Sequence, residues 1–195
     1  MLPYNQDNIV AIATPPGPGA LAIVRFSGES LKDLYRGFSH SVPKNRYALF
    51  SKIYHPKKGV VLDEAIIVYY KSPNSFTGED VIEISCHGGE AVKNSILHAA
   101  FDCGIRIAGP GEFSFRSFLN GKMDLLQAEA ISALISSKTS LPAEKSLQHL
   151  GGRVSNTLFD LKSQILDLLS LIENELNFSE EEIVPTAVSK IKSNI

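Results

Sequence analysis

The chain has 195 residues, of which 44% are hydrophobic and 21% are charged. This balance is typical of a globular protein that buries a sizeable core, and it excludes a disordered, collagen-like or membrane-embedded chain. The 19 basic and 21 acidic side chains give a net charge of −2, so no overall positive field attracts nucleic acid.

The predicted elements of the first 120 residues alternate between strands and helices. Short apolar runs bounded by turn residues predict strands at Ile9–Ala13, Leu21–Phe26, Tyr47–Tyr54, Val60–Tyr70, Val81–Ser85 and Ile105–Ala108. The polar stretch Glu29–Gly37 is compatible with a helix, and Glu90–Asp102 predicts a second helix that Gly104 ends. These elements predict an α+β fold.

The rest of the chain is predicted to be helical. Met123–Ser137 is rich in Ala, Leu and Glu, and Pro185–Ile195 predicts a short polar helix. Between them, apolar residues recur every three or four positions at Leu147, Leu150, Val154, Leu158, Leu161, Ile165, Leu168, Ile172 and Leu176. Gly151 and Gly152 interrupt this stripe at a cost of roughly 1 kcal/mol each relative to alanine. We expect a helix that packs on a partner, either continuous or starting anew after the glycines. A two-stranded coiled coil is the alternative, which the four-residue steps and the glycine pair disfavour. The stripe needs a covering helix, which leads us to expect that the chain is a fragment.

Several familiar sites are missing from the sequence. Gly121-Lys122 is followed by Met123, so no phosphate-binding loop of the G-x-x-x-x-G-K-[ST] type is present. No nucleophile elbow and no zinc-ligand spacing occur, and Cys86 and Cys103 are too few for a disulfide framework. The start of the chain lacks a signal peptide, and no apolar run reaches the roughly 18–20 residues of a membrane span. A reduced, cytoplasmic setting with no membrane contact is the expectation. No catalytic residue and no metal ligand is predicted.

Three segments carry candidate binding residues. Arg25, near the end of its predicted strand, can clamp a carboxylate or phosphate, although an ion-paired surface arginine gives the same pattern. Glu83 alternates with apolar neighbours and can accept N–H groups from a pterin or guanine, or belong to a solvated strand face. His87 is a possible general base, but we interpret it as a turn residue. Residues 110–125 combine phenylalanines with charged residues, which suits a stacking wall or an amphipathic helix.

Together these segments resemble a known family. Asp7–Gly17 with Ile23–Gly28, Phe76–Asp80 with His87-Gly88-Gly89, and Pro110–Phe113 with the stretch from Arg116 to Ala130 are similar to successive motifs of the tRNA-modification GTPase family MnmE, also called TrmE. Each motif is moderately specific, whereas all of them in this order make the resemblance strong.

The resemblance implies a mixed-sheet folate-binding, aminomethyltransferase-like domain over residues 1–120, followed by the first part of a helical domain over residues 121–195. The family's Ras-like GTPase domain, with its GTP, Mg and K, would lie beyond this chain, so we expect no GTP hydrolysis by the chain itself. The cofactor implied is 5-formyl- or 5,10-methylene-tetrahydrofolate. The family's folate contacts correspond to Arg25, Glu83 and Lys122.

The resemblance also implies partners. They are a second copy of the chain in a homodimer, the FAD protein MnmG (GidA), and tRNA bound by the full complex and modified at C5 of its wobble uridine. Two alternatives remain open at this point. One is a free-standing aminomethyltransferase-like folate enzyme, and the other is an oligomerisation scaffold with an empty pocket.

Overall fold

The computed structural model describes residues 7–177. The chain consists of two compact units, Met1–Met123 and Asp124–Ile195. The described helices include none that is long and apolar enough to cross a membrane. The α+β class predicted from the sequence is confirmed, because the first unit contains a mixed sheet and the second is helical. The predicted helix at Pro185–Ile195 lies outside the described residues.

A six-stranded sheet forms the first unit. Its strands are β1 (Ile9–Ile12), β2 (Leu21–Gly28), β3 (Leu49–Tyr54), β4 (Val61–Tyr70), β5 (Asp80–His87) and β6 (Arg106–Ile107). Their order across the sheet is β3-β4-β5-β2-β1-β6. All neighbours are antiparallel except β1 and β6, which are parallel. Strand β2 continues two residues beyond its predicted end at Phe26, and β5 includes His87, which therefore ends a strand rather than lying in a turn.

One face of the sheet is covered by helices α1 (Lys32–Ser39) and α2 (Glu90–Asp102). Side chains alternate along the strands, and one set packs with both helices into a single apolar core. Its fully buried members include Val24, Phe26, Ile67, Ile82, Ile84, Tyr35, Phe38 and Ile96. In each strand, alternate residues therefore point into this core, and the residues between them lie on the opposite face.

The opposite face is partly open. Phe50 and Ile66 lie directly opposite each other on β3 and β4, and they are 69% and 41% exposed. The pairing register continues this row through Ser85 to Ile23. The adjacent row contains Val68, Glu83 and Arg25. Helix α3 (Glu112–Leu119) also belongs to this first unit.

A close backbone approach joins the proline-rich loop to the start of α2. A Cβ added at Gly88 would lie 2.3 Å from the carbonyl oxygen of Gly19, and Gly88 N–H donates to Ala20 at 3.2 Å. The buried ammonium of Lys93 donates to the Gly17 carbonyl at 3.1 Å and to Glu90 at 2.6 Å. Glycine at position 88 is therefore required by space rather than by an unusual backbone angle.

The second unit contains helices α4 (Leu125–Ser136), α5 (Ser140–Leu150) and α6 (Arg153–Asn177). The Asp124 side chain accepts a hydrogen bond from the Gln127 N–H at 2.8 Å, and the Gln127 side-chain oxygen accepts one from the Asp124 N–H at 2.9 Å. This pair of bonds is a capping box that starts α4. The helix stops before Gly151-Gly152 and starts anew at residue 153, which is the second of the two options considered for this stripe. Large apolar side chains of α6 such as Phe159 and Ile165 are at least half exposed.

The Gly88 contact gives a matched pair of substitutions. Gly88→Ala should lower the free energy of unfolding by more than about 2 kcal/mol, since the new methyl group meets a backbone oxygen that cannot move away cheaply. Gly89→Ala, where no atom lies within 4 Å of an added Cβ, should lower it by no more than about 1 kcal/mol, because alanine is less favourable than glycine at the N-cap of α2. Urea unfolding followed by circular dichroism measures both values. Equal stabilities of the two variants would contradict the packing described here.

Candidate functional site

Arg25 and Glu83 form an ion pair on the open face of the sheet. They lie directly opposite each other in the β2–β5 register. The Arg25 Nη2 is 2.6 Å from Glu83 Oε1, and Nε donates to the same oxygen at 2.8 Å. Both side chains stay partly exposed, at 28% and 20%. The two residues lie in the middle of their strands, so the expectation that Arg25 stands near a strand end was wrong.

Tyr70 holds the other oxygen of the same carboxylate. Its hydroxyl donates to Glu83 Oε2 at 3.1 Å. Burial and the nearby Glu83 charge raise the pKa of Tyr70, so its hydroxyl remains a donor at neutral pH. The carboxylate is thus held from both sides, which leaves one of its four lone-pair sites, on Oε2, available. Tyr70 was not predicted from the sequence, because its contact with Glu83 depends on the pairing of β4 with β5, which sets Val68 opposite Glu83 and Tyr70 two residues further on.

Two phenylalanines lie against the guanidinium of Arg25. Its Cζ is 5.5 Å from the ring centroid of Phe76 and 5.9 Å from that of Phe113. Both distances lie within the range of cation–π attraction. Phe76 is 38% exposed. The stacking wall expected from residues 110–125 is therefore represented by Phe113, while Phe76 comes from the loop before β5.

Helix α3 fixes the loop that carries Phe76. The Ser117 hydroxyl donates to the Phe76 carbonyl, and the Asn120 side-chain amide donates to the Thr77 carbonyl, both at 2.7 Å. Thr77 is fully buried and its hydroxyl is 2.6 Å from that of Ser27. The loop is consequently attached to both α3 and β2, which determines where the Phe76 ring lies beside Arg25.

Arg116 lies at the centre of a buried charge network beneath this loop. Its side chain is 1% exposed and contacts three carboxylate residues. It donates to the Asp7 carbonyl at 2.7 Å and to the Asp7 carboxylate at 2.8 Å. It also donates to Glu79 at 3.1 Å and to Glu112 at 2.9 Å. Arg116 therefore joins the segment before β1, the loop before β5 and the start of α3.

Arg106 on β6 is the second cation of the network. It donates to both oxygens of Asp7 and to both oxygens of Glu112, at 2.6–3.0 Å. Hydrogen bonds from Arg106 and from the Gly109 N–H outweigh the effect of burial and lower the pKa of Glu112 to about 2. The charged groups of the network are paired with one another, so it serves as a structural support of the site.

Lys122 is exposed and lies apart from the ion pair. Its N–H donates to the Ser117 carbonyl at 2.9 Å, after the end of α3. Its Cγ is 3.2 Å from the position of a Cβ at Gly78. Among residues 7–177, no hydrogen bond or ion pair joins Lys122 to Arg25 or Glu83. The structure thus brings two of the three predicted residues into contact, and Lys122 flanks the same loop on the side of Gly78.

His87 is positioned by Asp63. The imidazole Nδ1 is 2.7 Å from Asp63 Oδ1, and the His87 N–H donates to Oδ2 at 2.9 Å. The backbone and side-chain hydrogen bonds of His87 oppose burial and lower the pKa of Asp63. His87 is four residues beyond Glu83 on the same strand, or about 13 Å away. It is therefore a satisfied residue at the strand end, separate from the Arg25–Glu83 pair.

Metal and thiol chemistry receive no support from the described side chains. Over residues 7–177, no group of three or more His, Cys, Asp or Glu residues is placed to hold a metal ion. Cys86 is buried, and burial raises the pKa of its thiol to about 11. Such a thiol is protonated at neutral pH and is a poor nucleophile.

Comparisons with known proteins agree with this architecture. Residues 8–122 match the family model described as GTP-binding protein TrmE N-terminus, and residues 125–195 match the MnmE helical domain. A protein of Aquifex aeolicus (strain VF5) named tRNA modification GTPase MnmE is 44% identical over 180 residues, which cover 91% of this chain and 40% of that protein. A protein of the same name from Francisella tularensis subsp. holarctica (strain OSU18) is 38% identical over 192 residues, covering 98% and 42%.

The matches first define a class: an α+β domain followed by a helical domain, as found in proteins named tRNA modification GTPases. The chain belongs to the TrmE/MnmE family, which confirms the resemblance seen in the sequence. It spans about 40% of the length of the curated relatives it matches and corresponds to their N-terminal part.

The network predicts a pH dependence of stability. The pKa of Glu112 is about 2 in the folded chain and ordinarily 4.5. Its contribution to the free energy of unfolding is therefore present above pH 4.5 and is lost as the pH falls towards 2. Urea unfolding between about pH 2.5 and 7 should show this decline, and Glu112→Gln should flatten it. Glu144→Gln in α5 removes an exposed carboxylate outside the network and serves as the control. An unchanged slope for Glu112→Gln would refute the assignment.

Proposed function

We propose that this chain is the folate-binding and self-associating part of a tRNA-modifying protein. The observation that carries the proposal is the Glu83 carboxylate, which is held by Arg25 and Tyr70 beside the rings of Phe76 and Phe113. The family match supports it, because the relatives are named for tRNA modification.

The residues present fit a reduced pterin. A pterin is flat and carries adjacent N–H donors on one edge, which two carboxylate oxygens can accept side by side. Glu83 offers a carboxylate of fixed orientation: Oε1 already accepts twice from Arg25 and Oε2 once from Tyr70, so Oε2 can accept one pterin N–H, and a second N–H would replace Arg25 on Oε1. Phe76 offers an exposed aromatic ring for stacking. When bound, 5-formyl- or 5,10-methylene-tetrahydrofolate supplies the one-carbon unit.

Arg25 and Lys122 have different roles in this proposal. Arg25 is paired with Glu83, so it mainly orients the carboxylate and compensates its charge. Lys122 is an exposed cation and suits the carboxylates of the folate glutamate tail. The three residues predicted from the sequence thus form one binding site in the proposal, with Arg25 acting through Glu83.

We further propose that the parent protein acts in the cytoplasm as a GTPase. Its GTP, Mg and K would bind in a domain outside this chain, and the FAD protein MnmG would be its partner in modifying the wobble uridine of tRNA at C5. This chain would contribute the folate to that reaction.

The folate site is tested by calorimetric titration with 5-formyltetrahydrofolate. Glu83→Gln keeps the shape of the side chain but replaces one acceptor oxygen with an N–H donor that opposes the pterin edge. We expect binding at least tenfold weaker, equivalent to about 1.4 kcal/mol. Arg25→Ala should lose a similar amount, while Lys122→Ala should lose less because a solvated lysine is easily replaced.

Glu64→Gln is the matched control, because Glu64 is an exposed carboxylate on the neighbouring strand β4. It should bind folate as the unchanged chain does, and so should His87→Ala. If Glu83→Gln binds normally, or if Glu64→Gln loses as much affinity, the folate site lies elsewhere.

Self-association is proposed to use the open face of the sheet. Leu21 and Phe50 are each 69% exposed there, and Ile66 is 41% exposed. Phe50 and Ile66 lie directly opposite each other, and an exposed apolar pair on a sheet face favours contact with another protein surface. A twofold dimer would bury the same residues on both copies.

Phe50→Asp combined with Ile66→Asp places two charges on this face and should raise the dimer dissociation constant at least tenfold. Sedimentation velocity over a range of concentrations measures this constant. Val42→Asp is the control, since Val42 is 70% exposed but lies outside the sheet. A double variant that dimerises as tightly as the unchanged chain would exclude this face.

A further inference from the structure

A group of exposed basic and aromatic residues lies where the segment before β3 meets the end of β4. We call Lys44, Arg46, Tyr47 and Lys71 the basic corner; all four are exposed. An isolated parallel bridge joins this segment to β4, and the Arg46 N–H donates to the Tyr69 carbonyl at 2.8 Å. Residues distant in sequence therefore form one continuous surface.

Backbone hydrogen bonds fix the position of this corner. The Lys71 N–H donates to the Asn45 side-chain oxygen at 2.9 Å. The Arg46 guanidinium donates to the Asn74 carbonyl, also at 2.9 Å. These contacts fix the backbone at Lys71 and the guanidinium of Arg46, and neither of them neutralises a charge.

The charge of the corner contrasts with that of the whole chain. Residues 34–78 carry 7 basic and 2 acidic side chains, whereas the other 150 residues carry 12 and 19. Within residues 7–177, Lys44, Arg46 and Lys71 take part in no ion pair. Of those seven basic residues, Arg36 and Lys58 are ion-paired and only Lys44, Arg46 and Lys71 belong to the corner. Three uncompensated cations therefore lie on this surface of a chain of net negative charge, which favours a polyanionic partner.

The aromatic rings beside these cations indicate which kind of polyanion fits the surface. Tyr47 is 53% exposed and its ring centroid lies 5.4 Å from the Lys44 ammonium. The Arg46 guanidinium lies 5.9 Å from the Tyr70 ring. Cations beside an exposed ring match unpaired RNA, whose phosphates meet the cations while a base stacks on the ring. A duplex keeps its bases stacked internally, and an acidic protein surface has no base to place on Tyr47.

We propose that the basic corner binds a single-stranded RNA loop, with an unstacked base on Tyr47 and phosphates on Lys44, Arg46 and Lys71. Tyr70 connects this surface to the candidate site, because its ring lies under Arg46 and its hydroxyl contacts Glu83. RNA held here lies beside the proposed folate site. The inference rests on the proposed role in tRNA modification, but it concerns separate side chains.

The probe is a 17-nucleotide RNA stem-loop with seven unpaired nucleotides, bound to the full chain and followed by fluorescence anisotropy at several salt concentrations. Lys44→Gln with Lys71→Gln should weaken binding at least tenfold and reduce the salt-dependence slope by about 1.5–2. Lys138→Gln with Lys145→Gln removes two exposed lysines of the helical unit and should change neither value. Tyr47→Ala should weaken stem-loop binding about fivefold or more, and Tyr47→Phe should retain it.

The outcomes separate this inference from the folate proposal. Normal 5-formyltetrahydrofolate binding by the Lys44/Lys71 variant, together with lost RNA binding, supports a distinct RNA surface. Unchanged RNA binding by that variant overturns the inference whatever happens to folate. Equal binding of a fully paired duplex, no effect of Tyr47→Ala, or equal competition by polyglutamate also overturns it, since each shows attraction to charge alone.

Discussion

The buried guanidinium of Arg116 is the interaction on which the rest of the first unit depends. It joins the segment before β1, the loop before β5 and the start of α3 through Asp7, Glu79 and Glu112. A buried charge is tolerated only when its partners are complete, and removing one partner of such a pair typically costs about 3–5 kcal/mol. Arg106 supplies the second positive charge that three neighbouring carboxylates need. The network thus contributes mainly by specifying one arrangement of these segments.

That arrangement of segments sets the geometry of the candidate site. Glu79 is attached to Arg116, and the same loop carries Phe76 and Thr77, which Ser117 and Asn120 hold from α3. Phe113 lies on the helix that Glu112 begins. The rings beside Arg25 are therefore positioned through the backbone of the loop and the helix that carry them. The sheet positions Arg25 and Glu83 independently, through the pairing of β2 with β5.

Much of the fold could be predicted from the sequence, because its signals are local. Apolar alternation located the strands, and the glycines at 151 and 152 marked the break between α5 and α6. Glu83 could be singled out because it interrupts an apolar strand. The long-range features could not be predicted this way: the pairing of Arg25 with Glu83 requires the register, and the contact of Tyr70 requires β4 to lie next to β5. Arg116 resembles a surface arginine until its partners, 37 and 109 residues away, are known.

The Arg25–Glu83 pair also constrains how the strands align. In the observed pairing these residues are direct neighbours, with Ser27 opposite Val81 and Ile23 opposite Ser85. A shift of β5 by one residue would turn Glu83 towards the apolar core and leave Arg25 on the open face, which is prohibitive without compensation. A shift of two residues would keep the core pattern but separate the charges to a diagonal distance of about 7–8 Å. Hydrophobic alternation alone distinguishes odd from even shifts, whereas this single polar pair also selects among the even ones. The same two side chains that form the candidate site therefore act as an alignment marker during assembly of the sheet.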